Sequence, residues 1–247
     1  MASTRLPGKV LKRVLGKPLL QFLVERLKRS RLINELVIAT TTSAADDEIV
    51  ACCNLVGVAH YRGSEVNVLS RYAEAASLYR AEVVVRICCD SPLLDPLLVD
   101  QFIGNFQGSN PPYDYLSNTI NQSYPLGMNV EVFSRWALEQ ADMNAKRPYE
   151  REHVTPYIYF NPERFVIHQE HSLIDLGHLR LTVDVPEDFE LVKLVLEALY
   201  PNSPEFGLGD ILAFYRECPE VFRINSHVMQ KRVPCGPALP GFDERSS

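Results

Sequence analysis

A chain of 247 residues, 46% hydrophobic and 23% charged, can bury one large core, and it has no apolar run of the roughly 18 to 20 residues that a membrane-crossing helix needs. Its formal net charge is −6, yet nine of its 25 basic residues fall within the first 31 positions, beside one acid, Glu25. A local basic cluster on an otherwise acidic chain suits a small anionic ligand and excludes the broad basic face that long nucleic acids require.

The chain opens with MASTRLPGKVL (Met1–Leu11), a glycine turn carrying Arg5 and Lys9. A loop of this kind normally follows a buried strand, and none precedes it here. Its basic, acid-poor character also fits an organelle transit peptide, but the Pro7–Gly8 turn and the regular pattern that follows argue against one. No apolar segment near the start reads as a secretory signal.

Pro18 suits the first turn of a helix, in which Leu19, Leu20, Leu23, Val24 and Leu27 share one face with Lys and Arg opposite. ELVIAT (35–40) is a short buried strand, and SAADDEIVACCNLVG a helix capped by Ser43 and ended by Gly57. VAHYRG is a second strand and VNVLSRYAEAASLYR a long helix. AEVVVRICCD, with Val83, Val84, Val85 and Ile87, reads as the most deeply buried strand of all. DPLLVDQFIGNF is helical and YDYLSN a strand.

After Asn118 the rhythm changes. NVEVFS, RFVIHQE and HLRLTVD read as strands, and SRWALEQADMN, YEREHVTPYIYF, PEDFELVKLVLEALY and LGDILAFYRE as helices. Alternating strands and helices predict an α/β fold with a mostly parallel sheet covered on both faces. The expected organisation is one domain over 1–231, with parts at 1–118, 119–185 and 186–231, and a Pro- and Gly-rich flexible tail at 232–247.

Six cysteines occur as the adjacent pairs Cys52–Cys53 and Cys88–Cys89 plus Cys218 and Cys235. They form neither a disulfide framework nor a C-x-x-C site. Both pairs sit in apolar runs, which predicts buried, reduced thiols and a cytoplasmic protein.

Ligands of open parallel sheets bind beyond the carboxyl ends of the strands. Asp90 ends the strand VVVRICC and Asp184 ends LRLTV, so two carboxylates can face one crevice there and hold Mg²⁺, which prefers hard oxygen ligands. Each Asp has a second reading, as the N-cap of the following helix. In STRLPGK, Ser3, Thr4 and Gly8 offer donors and Arg5 and Lys9 offer charge to a phosphate, although the spacing is not that of a Walker loop. On spacing alone it also reads as a solvated basic turn. The pair His168 and His171 reads as surface, and Trp136, Tyr157 and Tyr159 as core or interface aromatics.

The segments STRLPGKVL, YRGSEVNVLSRY, VVVRICCDSPLLDP, YPLGMNVEVF, REHVTPYI and LTVDVPEDFELV, in this order, resemble the cytidylyltransferase family that includes the CMP-KDO and CMP-neuraminate synthetases. Within it they are similar to the branch named after the spore coat polysaccharide protein SpsF. The resemblance implies a Rossmann-like nucleotide-diphospho-sugar transferase with a mixed sheet, whose first strand is missing here. It implies transfer of CMP from CTP to a sugar, with Mg²⁺ on Asp90 and Asp184 and the triphosphate on Arg5 and Lys9. Arg62, Gly63 and Ser64 fall near the nucleotide. Asn118, Asn129, Glu152 and His153 fall on the sugar side, and a homodimer is expected, with neither nucleic acid nor membrane as partner.

Three departures stand out. Cys88–Cys89 replaces the Thr-Gly pair usual before the metal Asp, and Asn129 and Asn67 stand where an Asp is common. The missing first strand, Cys88–Cys89 and Asn129 leave open a degenerate member that binds nucleotide without turnover; a nucleotidyltransferase on the same fold using another NTP or a sugar 1-phosphate is the other alternative. The missing strand predicts that a chain extended upstream is more stable and binds CTP more tightly.

Overall fold

Two consecutive residues with positive φ, Leu15 (48°) and Gly16 (79°), turn the basic start of the chain into a hairpin between β1 (Arg13–Val14) and β2 (Lys17–Pro18). The computed structural model describes residues 5–230. Ser3, Thr4, Cys235 and the tail expected at 232–247 lie outside the described residues.

Pro18 stands one residue ahead of α1 (Leu19–Leu27) as its N-cap. The remaining elements follow the expected alternation: β3 (Val37–Thr41), α2 (Asp47–Val56), β4 (Ala59–Gly63), α3 (Val68–Leu78), β5 (Val83–Arg86), α4 (Pro96–Gln107) and β6 (Tyr115–Ser117). Side-chain caps explain several starts: Asn67 accepts from the Ser70 N–H (3.1 Å) and Asp95 from that of Leu97 (2.9 Å). Then come β7 (Glu131–Ser134), α5 (Arg135–Asn144), α6 (Pro148–His153), α7 (Pro156–Tyr159), β8 (Ile167–Gln169), α8 (Pro186–Leu199) and α9 (Leu208–Glu217). The segment YEREHVTPYIYF is therefore two short helices, parted at Val154, whose φ is 74°.

β3 and β4 pair in parallel, with Val37 opposite Ala59. β5, β7, β6 and β8 form a mixed sheet in that order, in which β7 runs antiparallel to both neighbours. Strand alternation sends side chains to opposite faces. Leu116 and Val132 enter a core with α1, α4 and α8, while Tyr115 and Phe133 enter a second with α3, α5 and α7. Helices thus cover both faces of this sheet.

Four expectations are corrected. HLRLTVD is not a regular strand; the only strand-type pairing there is a bridge between Arg180 and Leu126, because its neighbour is a loop. Arg26 is not on a polar face of α1: it is buried, donates to the carbonyls of Leu94 (2.9 Å) and Leu93 (3.1 Å), and lies over the Phe206 ring. Of the cysteine pairs, Cys52 and Cys53 are buried, but Cys88 is exposed and Cys89 half-buried. The valines of β5, expected to be the most deeply buried, are each only half-buried.

Candidate active site

β5 and the residues after it deliver Asp90 to the carboxyl end of the sheet. The Asp90 carbonyl accepts from the Val183 N–H (2.9 Å) and the Thr182 hydroxyl (3.2 Å), which draws the extended segment 179–184 alongside. The other flank of that segment is held by Leu126, which exchanges hydrogen bonds with Leu179 (2.9 Å) and Leu181 (2.7 Å). This close approach needs Gly127, with φ 97°, since a Cβ there would sit 2.6 Å from the Leu181 carbonyl carbon.

The result is a charged cluster. Lys9 Nζ stands 2.6 Å from Asp90 Oδ2 and 2.7 Å from Asp184 Oδ1, and Arg5 lies 3.0 Å from Asp184 Oδ2. Gly8, in the left-handed region at φ 65°, turns the loop so that Lys9 points inward, while buried Leu6 anchors it to the core. Burial disfavours the Lys9 ammonium, but Asp90 and Asp184 outweigh it and hold its pKa above 10.5. Asp184 is likewise held below its ordinary 3.8: burial opposes the charge, and the hydrogen bond from Lys9, with Arg5 and Arg180 nearby, overcomes it.

The N-cap readings of the two acids do not hold. Asp95, not Asp90, caps α4, and Val185, not Asp184, stands at the N-cap of α8. The backbone N–H groups of Asp184 (2.8 Å) and Val185 (3.2 Å) are satisfied by Asp188, which is fully buried. Asp188 also accepts from Arg180 at 2.8 and 2.9 Å and from Asn225 at 2.8 Å. Arg180 in turn donates to Asp184 Oδ2 at 2.9 Å. Asp188, Arg180 and Asn225 therefore fix where the Asp184 carboxylate sits.

Beside the cluster lies a cavity of about 300 Å³, lined among others by Gly8, Lys9, Thr40, Arg71, Arg86 and Cys88. Arg71 and Arg86 each carry a buried Nε with no hydrogen-bond partner among the described residues, which leaves donors for an acceptor-rich ligand. Arg86 also pairs with buried Glu131, which accepts from the hydroxyls of Tyr115 (2.7 Å) and Thr155 (2.6 Å).

Arg62, Gly63 and Ser64 lie at the end of β4. The Arg62 guanidinium donates to the carbonyls of Thr41 and Ser43, both at 2.8 Å, and pairs with Asp47 at 2.7 Å. Ser64 accepts from the Asn67 N–H (3.0 Å), and buried Gly63 packs against Arg71 and Tyr61. These three shape the loop after β3 in this structure and stand apart from the Lys9 cluster.

Asn118 is fully buried and clamps a neighbouring segment, donating to the Met128 carbonyl (2.8 Å) and accepting from the Val130 N–H (2.9 Å). Asn129 binds the Gly127 N–H and the Gln122 side chain, both at 3.1 Å. Glu152 is exposed. His153 is half-buried, and burial holds its pKa below the ordinary 6.5, an effect Glu152 only partly offsets. None of these four joins the Lys9–Asp90–Asp184 cluster.

Arg180, Asp188, Asn225, Arg71 and Arg86 escaped the sequence reading. A signal for two of them existed: Arg180 and Asp188 flank Asp184 at four residues on either side.

Residues 1–201 match the family model described as cytidylyltransferase. The chain is 38% identical to an uncharacterised protein of Methanocaldococcus jannaschii, covering 93% of this chain and 92% of that one. It is 31% identical to the spore coat polysaccharide biosynthesis protein SpsF of Bacillus subtilis, covering 89% and 92%. Its fold matches a solved cytidylyltransferase from Leptospira borgpetersenii with TM-score 0.87 and 31% identity, over 94% of this chain and 95% of that one. The Rossmann-like fold expected from the sequence is therefore the fold observed, and this chain belongs to the cytidylyltransferase family.

Proposed function

We propose that this chain transfers the CMP moiety of CTP to a sugar hydroxyl with release of pyrophosphate, using Mg²⁺ as cofactor. The observation that carries this reading is the convergence of Arg5, Lys9, Asp90 and Asp184 at one end of the sheet in a member of this family. The name of the Bacillus subtilis relative extends the reading to polysaccharide biosynthesis as the use of the product.

Asp90 and Asp184 fit a divalent cation. Their oxygens are hard carboxylate ligands that already hold cations: the Lys9 ammonium bridges Asp90 Oδ2 and Asp184 Oδ1, and Asp184 Oδ2 accepts from Arg5 and Arg180. No cluster of three or more His, Cys, Asp or Glu able to hold a metal occurs among the described residues, so a Mg²⁺ ion on Asp90 and Asp184 would have to take its remaining ligands from water and phosphate oxygens. Bound there, Mg²⁺ supplies charge screening and Lewis acidity at the α-phosphate.

Lys9 and Arg5 bind the triphosphate and stabilise the charge that builds on the departing pyrophosphate. Arg180 and Asp188 keep Asp184 aimed at the cluster. The sugar oxygen attacks the α-phosphorus; the bond from that phosphorus to the bridging oxygen breaks, its electron pair leaves with pyrophosphate, and the hydroxyl proton passes to solvent. No covalent enzyme intermediate is required.

Pyrophosphate release from CTP, measured across a panel of sugars, tests the reading. Asp90→Ala and Asp184→Ala are each expected to reduce turnover on the order of 100-fold or more, and full turnover in both would remove the metal assignment. A second reading, nucleotide binding without turnover, is favoured by Cys88 and Cys89 lining the cavity just ahead of Asp90. Calorimetry showing CTP and Mg²⁺ binding, with no pyrophosphate from any sugar, would select it. Thermal shifts with CTP, UTP, GTP and ATP identify the nucleotide, since a ligand at 100 Kd stabilises by about 2.7 kcal/mol.

A further inference from the structure

Arg26 and Arg29 stand one turn apart at the end of α1. The Arg29 N–H donates to the Arg26 carbonyl (3.0 Å), which continues the turn and sends both side chains out from one face. Both reach the same loop. The Arg26 guanidinium lies 4.3 Å from the centre of the Phe206 ring, and Arg29 Nη1 donates to the Pro204 carbonyl at 2.8 Å. Arg26 is 2% exposed, whereas Arg29 is half-buried and marks the solvent side of the pair. Neither lines the cavity beside Lys9.

The pair has more donors than acceptors. Arg26 Nε and Nη2 are taken by the carbonyls of Leu94 and Leu93. Its Nη1, and Nε and Nη2 of Arg29, are buried and have no hydrogen-bond partner among the described residues, although buried polar groups are almost always satisfied. Nor does either guanidinium form an ion pair with a carboxylate among the described residues. Asp95 and Asp210 act on Arg26 only from a distance. Asp95 accepts from the N–H groups of Leu97 (2.9 Å) and Leu208 (2.7 Å), and Asp210 from that of Gly207 (2.8 Å). Burial, followed by the like charge of Arg29, pulls the Arg26 pKa from 12.5 down to about 10 against the influence of those two acids. Two cations thus lie together in a poorly solvated place with three free nitrogens and no counter-charge between them. A bound anion resolves both deficits.

We propose that Arg26 and Arg29 form a binding site for a small inorganic oxyanion of the phosphate or sulfate type, between the end of α1 and the loop 203–207. The oxygens of such an ion accept several N–H groups at once, and the guanidinium fork matches their spacing. The ion enters beside Arg29 and is held at its inner end by Arg26 Nη1. Because Arg26 also holds the carbonyls of Leu93 and Leu94, which follow Asp90 in the chain, the bound ion stiffens the loop that leaves the Lys9 cluster. The site stands apart from nucleotide transfer and does not depend on it.

The test is calorimetric titration of the full chain with inorganic phosphate at constant ionic strength. Lys9→Met serves as the background, since it removes the competing anion site at the N-terminal loop. Saturable binding is expected there, weakened about tenfold or more when Arg29→Gln is added, with Arg29→Lys, which keeps the charge but loses the fork, in between. Amide hydrogen exchange in the Lys9→Met chain is expected to slow on phosphate addition at residues 26–30, 91–95 and 203–208. No saturable binding in Lys9→Met, which is what a pair satisfied by water alone gives, overturns the proposal. Equal affinity with and without Arg29→Gln overturns it as well. If Arg29→Gln fails to fold by circular dichroism, the exchange experiment decides: protection at those three segments supports the site, and its absence there overturns it.

Discussion

Replacing Asp188 with Ala removes the acceptor for four groups at once: the Arg180 guanidinium, the Asn225 amide and the backbone N–H groups of Asp184 and Val185. Asp188 is 0% exposed and Arg180 5%, so water cannot take its place, and a buried guanidinium loses one of its two carboxylate partners. Removing one member of a buried ion pair costs about 3–5 kcal/mol. In a domain of this size, where 1 kcal/mol shifts Tm by about 2–4 °C, that corresponds to roughly 6–20 °C. Asp188→Asn keeps an acceptor of the same shape, so it is expected to lie between wild type and Asp188→Ala. The assay is urea unfolding together with calorimetric melting, without nucleotide. A loss under about 1 kcal/mol for Asp188→Ala would refute the claim that this carboxylate organises the site.

Without divalent cations, stability is expected to depend on pH at both extremes. The lowered pKa of Asp184 gives a contribution present above about 3.8 and lost as pH falls through the folded value; the raised pKa of Lys9 gives one present below 10.5 and lost as pH rises through its folded value. Lys9→Met should flatten both limbs in urea titrations against pH, and an unchanged profile would count against the bridge. Gly127→Ala should cost more than about 1 kcal/mol, because the new Cβ meets the Leu181 backbone and φ is 97°; a neutral result would show that the segment 179–184 can shift. Asp95→Ala should cost about 1–2 kcal/mol by equilibrium unfolding, since its two oxygens hold the N–H of Leu97 in α4 and of Leu208 in α9 at 2.9 and 2.7 Å.

Helices were legible wherever an apolar stripe began at a capping residue, as at Asn67, Asp95 and Ser134, because period and cap are local properties of the chain. The hairpin at Leu15–Gly16 was missed: one of its left-handed positions is a leucine, which sequence rules do not favour there. Asp90 was legible as an acid just past a strand, and Asp184 as an acid ahead of a helix, although the segment before Asp184 is no regular strand. Their use was not, since an Asp ahead of a helix reads equally as a cap until Asp95 and Asp188 are seen doing that work.

Side-chain chemistry and local period, both carried by the sequence alone, determined the order of elements, the acids at the sheet's carboxyl end and the basic loop that faces them. Only the tertiary structure decided what lies next to what. It placed Lys9 between two carboxylates 81 and 175 residues away, and put Arg26 inside the core. It also left the valines of β5 facing an open groove. The reason is physical: propensity and capping act within a few residues, whereas burial, pairing and charge neutralisation are set by neighbours that arrive from distant parts of the chain.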